Sequence, residues 1–430
     1  MGERVRVTDP RRDATTWRGL LASAVLLALI ATLGAAPTSA GTPGDCVVRS
    51  GDGGRAYKRL QPAVSAARRG DRLTVRGTCR GTTVADRSLV IVGVRNQRLG
   101  RPILSGAGKV RVLRVERGVS VEVRSLAILR GSGLGPSAAS SPAARRSSGR
   151  GGGIFNAGRL TLRDVEVGRN TASRSGRGGG GGVYNTGTLI LKGATRISRN
   201  FSPHGGGVFN SGTLLMKGSS AISANGAESG GGVWNEGRMT MTGSSAIRTN
   251  GAEDAGGVTN LSTLVMRGST TISGNTGGLR GPGGGVYNGR TGRLTMADTA
   301  TIRGNTSVDT AGGGVANAGG SVRLGDEAAI HGNRAPSGGG LDTVGRGTVT
   351  LRESSSIFEN AAEAGPGGGV SVRGGSFRMV GGATVRANNA TQPGGGLSRA
   401  SGTIGGVSCG PHTFANVFAN TPDDCALGTP

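Results

Sequence analysis

The chain has 430 residues, 86 of them glycine and only 3% aromatic, with 51 basic and 25 acidic side chains for a net charge of +26. Four cysteines, none in a CxxC pair, and three isolated histidines (His204, His331 and His412) argue against a Cys/His metal centre and a Ser–His–acid triad. A charge this positive makes anions the relevant partners.

Residues 1–40 read as an export segment. A basic start (Arg4, Arg6, Arg11, Arg12, Arg18) leads into an apolar run from Leu20 to Leu33, and small residues end at Thr38-Ser39-Ala40. Cleavage is expected after Ala40. The alternative is a retained anchor, although the run is short of the ~20 residues a spanning helix needs. The Arg11-Arg12 pair matches twin-arginine export only in its arginines, because no Phe-Leu follows.

Residues 41–131 read as a cap and the first rungs of a coil. In Ala56–Arg69, Leu60, Val64 and Ala67 share one helical face, and Pro62 places the helix start nearby. Such a helix would plug the open end of the first rung, where an exposed strand edge invites aggregation. Strand-like runs follow at Leu73–Val75, Leu89–Val92, Ile103–Leu104, Val110–Leu113 and Val119–Leu129. This opening, a helix, then Gly-Asp, Leu-Thr-Val-Arg-Gly, Cys and Leu-Val-Ile-Val-Gly, resembles that of secreted pectin-lyase-like β-helix proteins. Residues 132–150, rich in Ser, Pro and Gly, read as a loop leaving the coil.

Residues 151–408 carry a repeat, cleanest from Gly205-Gly206-Gly207-Val208-Phe209-Asn210 to Asn225. The apolar residue after the glycines recurs every 25 residues at Val183, Val208, Val233 and Val258, with slightly longer intervals elsewhere. An Asn follows two positions later at Asn156, Asn185, Asn210, Asn235, Asn260, Asn288 and Asn317, and the last three copies replace it by Thr343, Val372 and Arg399. A second Asn closes each unit, as at Asn170, Asn200, Asn225 and Asn250. Three short apolar runs per unit are too short for helices and read as three strands per turn. Strands of successive turns then pair in parallel, and parallel crossovers are right-handed. The fold expected is all-β: a single-stranded right-handed parallel β-helix with a short N-terminal capping helix, of roughly 13–15 rungs and roughly 65 Å. Gly and Asn are assigned to left-handed corners, and the stacked Asn residues to a structural ladder. Phe155, Tyr184, Phe209, Trp234 and Tyr287 share one position and read as a stacked file on the outer face, with closure of the core as the alternative.

The GGGV…IxxN pattern is similar to the GGA-I/FxxN repeats of the chlamydial polymorphic outer membrane protein family, over about 60% of the chain. It also looks like secreted right-handed β-helix repeat proteins of high-GC bacteria. The Phe of FxxN is Ile or Val here and no autotransporter barrel pattern follows, so the display route is not carried over. What the resemblance implies is surface display and adhesion.

Residues 409–430 close the chain. Cys46 and Cys79 bracket the cap helix, and Cys409 and Cys425 bracket the last segment; in an exported protein this reads as one local disulfide at each end.

The excess charge is uneven: residues 41–150 hold 22 basic and 6 acidic side chains, and the longer array 151–408 holds 24 and 14. The start of the rod is therefore the expected anion-facing surface, with wall polymers and acidic polysaccharides as partners. Nucleic acid would bind only non-specifically, and a membrane only through an uncleaved N-terminal segment. The bland reading is a solvated surface shaped by a high-GC genome. Enzymes on β-helices need clustered carboxylates. Glu228 and Glu253, in matching Asn-Gly-Ala-Glu segments one rung apart, are the one stack legible in the spacing and weak catalytic candidates. The expectation is a non-catalytic surface scaffold without a cofactor. The alternative is a lyase or hydrolase of acidic polysaccharide.

Overall fold

The glycine-led unit sets the geometry of every rung, and the chain winds as a right-handed parallel β-helix. The computed structural model describes residues 46–51, 54–133, 149–173, 178–410 and 415–428. The expected export segment 1–40, most of the 132–150 loop, and His412 lie outside the described residues.

Each turn of the array contributes to four ladders. Ladder 1 stacks Ile154–Asn156, Val183–Asn185, Val208–Asn210 and their successors. Ladder 2 stacks Ser120–Arg124, Arg159–Arg163, Thr188–Lys192 and onward. Ladder 3 holds thirteen strands from Thr78–Arg80 to Val417–Phe418. Its twelve steps of ~4.8 Å give an axis of roughly 58 Å, a little shorter than the spacing argument predicts. Ladder 4, from Phe201–His204 to Asn389–Ala390, corrects the expectation of three strands per turn. It follows the second Asn, and its buried positions are mostly Ala, Ser and Gly, which left no apolar signal.

The core is a set of files. In one rung Val208, Leu214, Met216 and Ile222 all point inward with no exposed surface, each such burial contributing about 1.5–3 kcal/mol. The three leading glycines are required for different reasons. Gly205 adopts φ +59°, whereas a Cβ on Gly206 would lie 2.3 Å from the carbonyl oxygen of Gly226, and one on Gly207 would lie 2.6 Å from that of Gly232.

The Asn residues are inside. On ladder 1 each Nδ2 donates to the Oδ1 of the next rung, from Asn156 through Asn185, Asn210, Asn235, Asn260 and Asn288 to Asn317, at 2.7–2.9 Å. The file ends where Asn317 donates to Thr343 Oγ1 at 3.2 Å. Beyond it, Val372 is fully buried and the bend between ladders 1 and 2 disappears, so that Val370–Met379 and Leu397–Gly405 run as single long strands. At the other end Asn156 stacks on Val115, which has no donor to offer, and its buried Oδ1 has no partner. The second Asn file runs from Asn170 to Asn388 and on to Asn420, with both the backbone N–H and Nδ2 of each residue donating to the next Oδ1.

These Asn residues are not the left-handed corners expected of them. The left-handed residue is the one before the second Asn: Arg169 (φ 56°), Arg199 (φ 57°), Ala224 (φ 53°) and Thr249 (φ 51°), then Gly274, Gly304 and Gly332, then Glu359 (φ 54°), Ala387 (φ 52°) and Ala419 (φ 55°). The Asn amide bonds a fixed inward position, and the preceding residue takes the bend. A left-handed L-residue costs about 1–2 kcal/mol, and a β-branched one is the least tolerant. Thr249→Gly is therefore expected to raise stability by about 1 kcal/mol, read as a higher urea midpoint; an unchanged or lower midpoint would refute the strain argument.

At the N-terminal end the helix is Leu60–Ala66, with Leu60, Ala63 and Val64 buried against the first rung. Val47–Ser50 runs antiparallel to Arg72–Arg76, a departure from the parallel coil that covers the first rung's edge. Cys46 is bonded to Cys79 and Cys409 to Cys425, with Cα separations of 4.7 and 6.1 Å.

Candidate functional site

The acids were the candidates for chemistry, and several of them bond backbone N–H groups instead. Ladder 4 pairs Ala227 with Ala252, which sets Glu228 and Glu253 one rung apart. Glu253 is ion-paired to Arg280 at 2.9 Å, and its own carbonyl accepts the N–H groups of Leu279 and Arg280. Glu228 is exposed. The neighbouring Asp254 accepts a hydrogen bond from the Ser229 hydroxyl. The arrangement joins Glu253 to a loop rather than to Glu228.

A second acid stack escaped the spacing argument. Asp298, Asp326 and Glu353 occupy consecutive rungs at the turn between ladders 2 and 3, 28 and 27 residues apart, where insertions hide the alignment. Asp298 accepts the N–H of Gly268 at 2.7 Å, Asp326 that of Asp298 at 2.8 Å, and Glu353 that of Asp326. Asp164 does the same for Ala194 at 2.8 Å. These carboxylates tie one rung to the next. Among the described residues no group of three or more His, Cys, Asp or Glu could hold a metal ion.

The aromatic file lies on the outer face, since its neighbours Val183 and Asn185 both point inward and are fully buried. Phe155, Tyr184, Phe209 and Trp234 stack with centroids 5.6, 4.6 and 6.4 Å apart and planes within 11°. Thr259 then interrupts the file before Tyr287. Arg111 and Arg114 lie over Phe155 and Arg150 over Tyr184, and Trp234 Nε1 donates to Glu236. Burial pushes the Arg111 guanidinium down to about 10, which leaves it charged at neutral pH. Stacked face to face, these rings present edges outward and act as a spine.

His331 sits in a second column, with Arg303 one rung before it and Phe358 stacked one rung after it at 4.7 Å. Burial, then Arg303, hold its pKa below the ordinary histidine value. Between that lowered value and the ordinary ~6.5 the unfolded chain binds more protons. Stability should therefore fall as pH drops below about 6.5 and level off below the folded value. Urea midpoints at pH 5 and 8 should differ more for the wild type than for His331→Gln; equal differences would exclude this source.

The basic residues form the most regular surface feature. Arg124, Arg163, Lys192 and Lys217 follow one another on ladder 2 at single-rung spacing. Asp164 follows Arg163 in the chain and accepts the Ala194 N–H, and Glu122 pairs with Arg124 at 2.8 Å and Arg163 at 3.5 Å. The Arg124 contact chiefly holds its carboxyl below the usual range. Among the described residues no helix is long and apolar enough to cross a membrane. No family model, no curated protein and no solved structure matches this chain.

Proposed function

We propose that this protein is an exported, non-catalytic scaffold that binds anionic polysaccharide. The observation behind this is the basic file Arg124–Arg163–Lys192–Lys217. Like charges stacked directly opposite one another on a sheet are destabilising. A polymer carrying an anionic group on each residue relieves that repulsion and releases counterions as it binds. The resemblances to secreted pectin-lyase-like β-helices and to polymorphic outer membrane protein repeats agree with a surface or extracellular role. So do the N-terminal export pattern and the two disulfides, which persist in oxidising compartments. The alternative, a lyase or hydrolase using Glu228 and Glu253, gains no support from a carboxylate already paired to Arg280.

The test is co-sedimentation of the purified protein with insoluble polygalacturonate gel across a salt series. Binding at low salt that weakens steeply as salt rises is expected, with no unsaturated or shortened product released. Absence of binding at low salt would remove the proposal, and product formation abolished by Glu228→Gln or Glu253→Gln would replace it with the enzyme reading.

A further inference from the structure

The basic file has a counterpart across the adjoining face. Three consecutive rungs of ladder 3, Ala127–Leu129, Glu166–Gly168 and Arg196–Ser198, form a face on which Leu129, Glu166, Arg196 and Ser198 are at least partly exposed while Ala127 and Gly168 are buried. Along one margin run Arg124, Arg163 and Lys192, where ladder 2 ends. Along the other run Arg130, Arg169 and Arg199, each donating its N–H to the rung that follows. Arg196 projects from the face itself and is exposed.

One feature sets this face apart, its unpaired arginines. The acids around it are already engaged: Glu122 by Arg124 and Arg163, Asp164 by the Ala194 N–H, and Glu166 by Arg101. Arg130, Arg169, Arg196, Arg199 and Lys192 have no acidic partner among the described residues. Arg130, Arg169 and Arg199 stand at φ 53–57°, a left-handed position that later rungs fill with Gly274, Gly304 and Gly332 and then with Glu359, Ala387 and Ala419, so glycine fits the corner.

We propose that this face is the binding site of a linear polyuronate, laid along the rod axis over the ladder 3 floor with its carboxylates reaching the two arginine margins. The inference rests on the reading of the protein as an anionic-polysaccharide scaffold. The floor between the margins presents Leu129, Ser198 and Arg196, and its one acid, Glu166, is held by Arg101. It offers no aromatic side chain for stacking nucleic-acid bases, the feature single-strand binders use. The guanidiniums meet carboxylates as planar forks, with geometry as well as charge.

The experiment compares three proteins: the wild type, the triple variant Arg169→Gly/Arg196→Ser/Arg199→Gly, and a control, Arg293→Ser/Arg323→Ser/Arg352→Ser, with the same loss of charge on later rungs. Each is titrated with soluble polygalacturonate, with poly(dT) and with phosphatidylglycerol vesicles over a salt series. The glycine substitutions place at two corners the residue that later rungs use, so the thermal midpoint should hold or rise. The face variant should lose about tenfold or more in polygalacturonate affinity and show a shallower salt dependence, while the control stays within about twofold of wild type. A face variant that matches the control would overturn this site and leave the scaffold reading standing. A wild type that ignores polygalacturonate would overturn the scaffold reading itself. Loss of poly(dT) or vesicle binding equal to or greater than the loss for polygalacturonate would overturn the choice of polyuronate.

Discussion

Asn225→Leu should destabilise the protein by about 3–5 kcal/mol, because it removes an inward amide from the middle of a ten-residue file. Asn225 Nδ2 donates to the Ile197 carbonyl and to Asn250 Oδ1, and its Oδ1 accepts both the N–H and Nδ2 of Asn200, all at 3.0 Å. Leucine fills the space but offers none of these bonds. The Ile197 carbonyl and the Asn200 N–H are then buried without partners, at about 1–3 kcal/mol each. In a solenoid each rung contacts only its neighbours, so the damage should be local. Hydrogen exchange should speed up over the rungs around 197–250 while the N-terminal cap stays protected. A loss below about 1 kcal/mol, or uniform loss of protection, would contradict the account of the file as a chain of individually required bonds.

Arg373→Met is the second large effect. Asp342 stands at the position that carries aromatic residues in earlier rungs, and its side chain is only 3% exposed. Arg373 grips it with two bonds, Nε to Oδ1 at 2.9 Å and Nη2 to Oδ2 at 2.8 Å. That contact holds the Arg373 guanidinium above its usual pKa. Methionine leaves a buried carboxylate unpaired, which costs about 3–5 kcal/mol at neutral pH. Adding Asp342→Asn should restore most of the stability at pH 7. If the double variant were no more stable than Arg373→Met alone, lost packing rather than lost charge would be the cause.

These two sites differ in how far the sequence exposes them. The Asn files are plain in it, because the same residue returns at nearly constant spacing and only an inward ladder gives a buried amide repeated partners. Asp342 is an isolated acid in the sequence. Its partner lies 31 residues on, and only the stacking of Leu341–Val344 on Val370–Met379 brings the two together. The same holds for Asp298, Asp326 and Glu353, where unequal insertions conceal a stack that the rungs themselves align.

By itself the sequence determined the winding of this protein. A period near 25 with Val, Ile and Leu at fixed phase leaves a parallel coil as the way to bury all the files together, and the glycines leave room for the next rung's carbonyls. Tertiary structure alone decided what each turn presents outward. It added a fourth ladder with no apolar signature and moved the left-handed corner from Asn to the residue before it. It also aligned two basic margins on either side of ladder 3. The physical reason is that inward positions must satisfy packing within one rung, which leaves a local pattern, whereas an outward surface is composed of residues from several rungs whose register depends on every insertion between them.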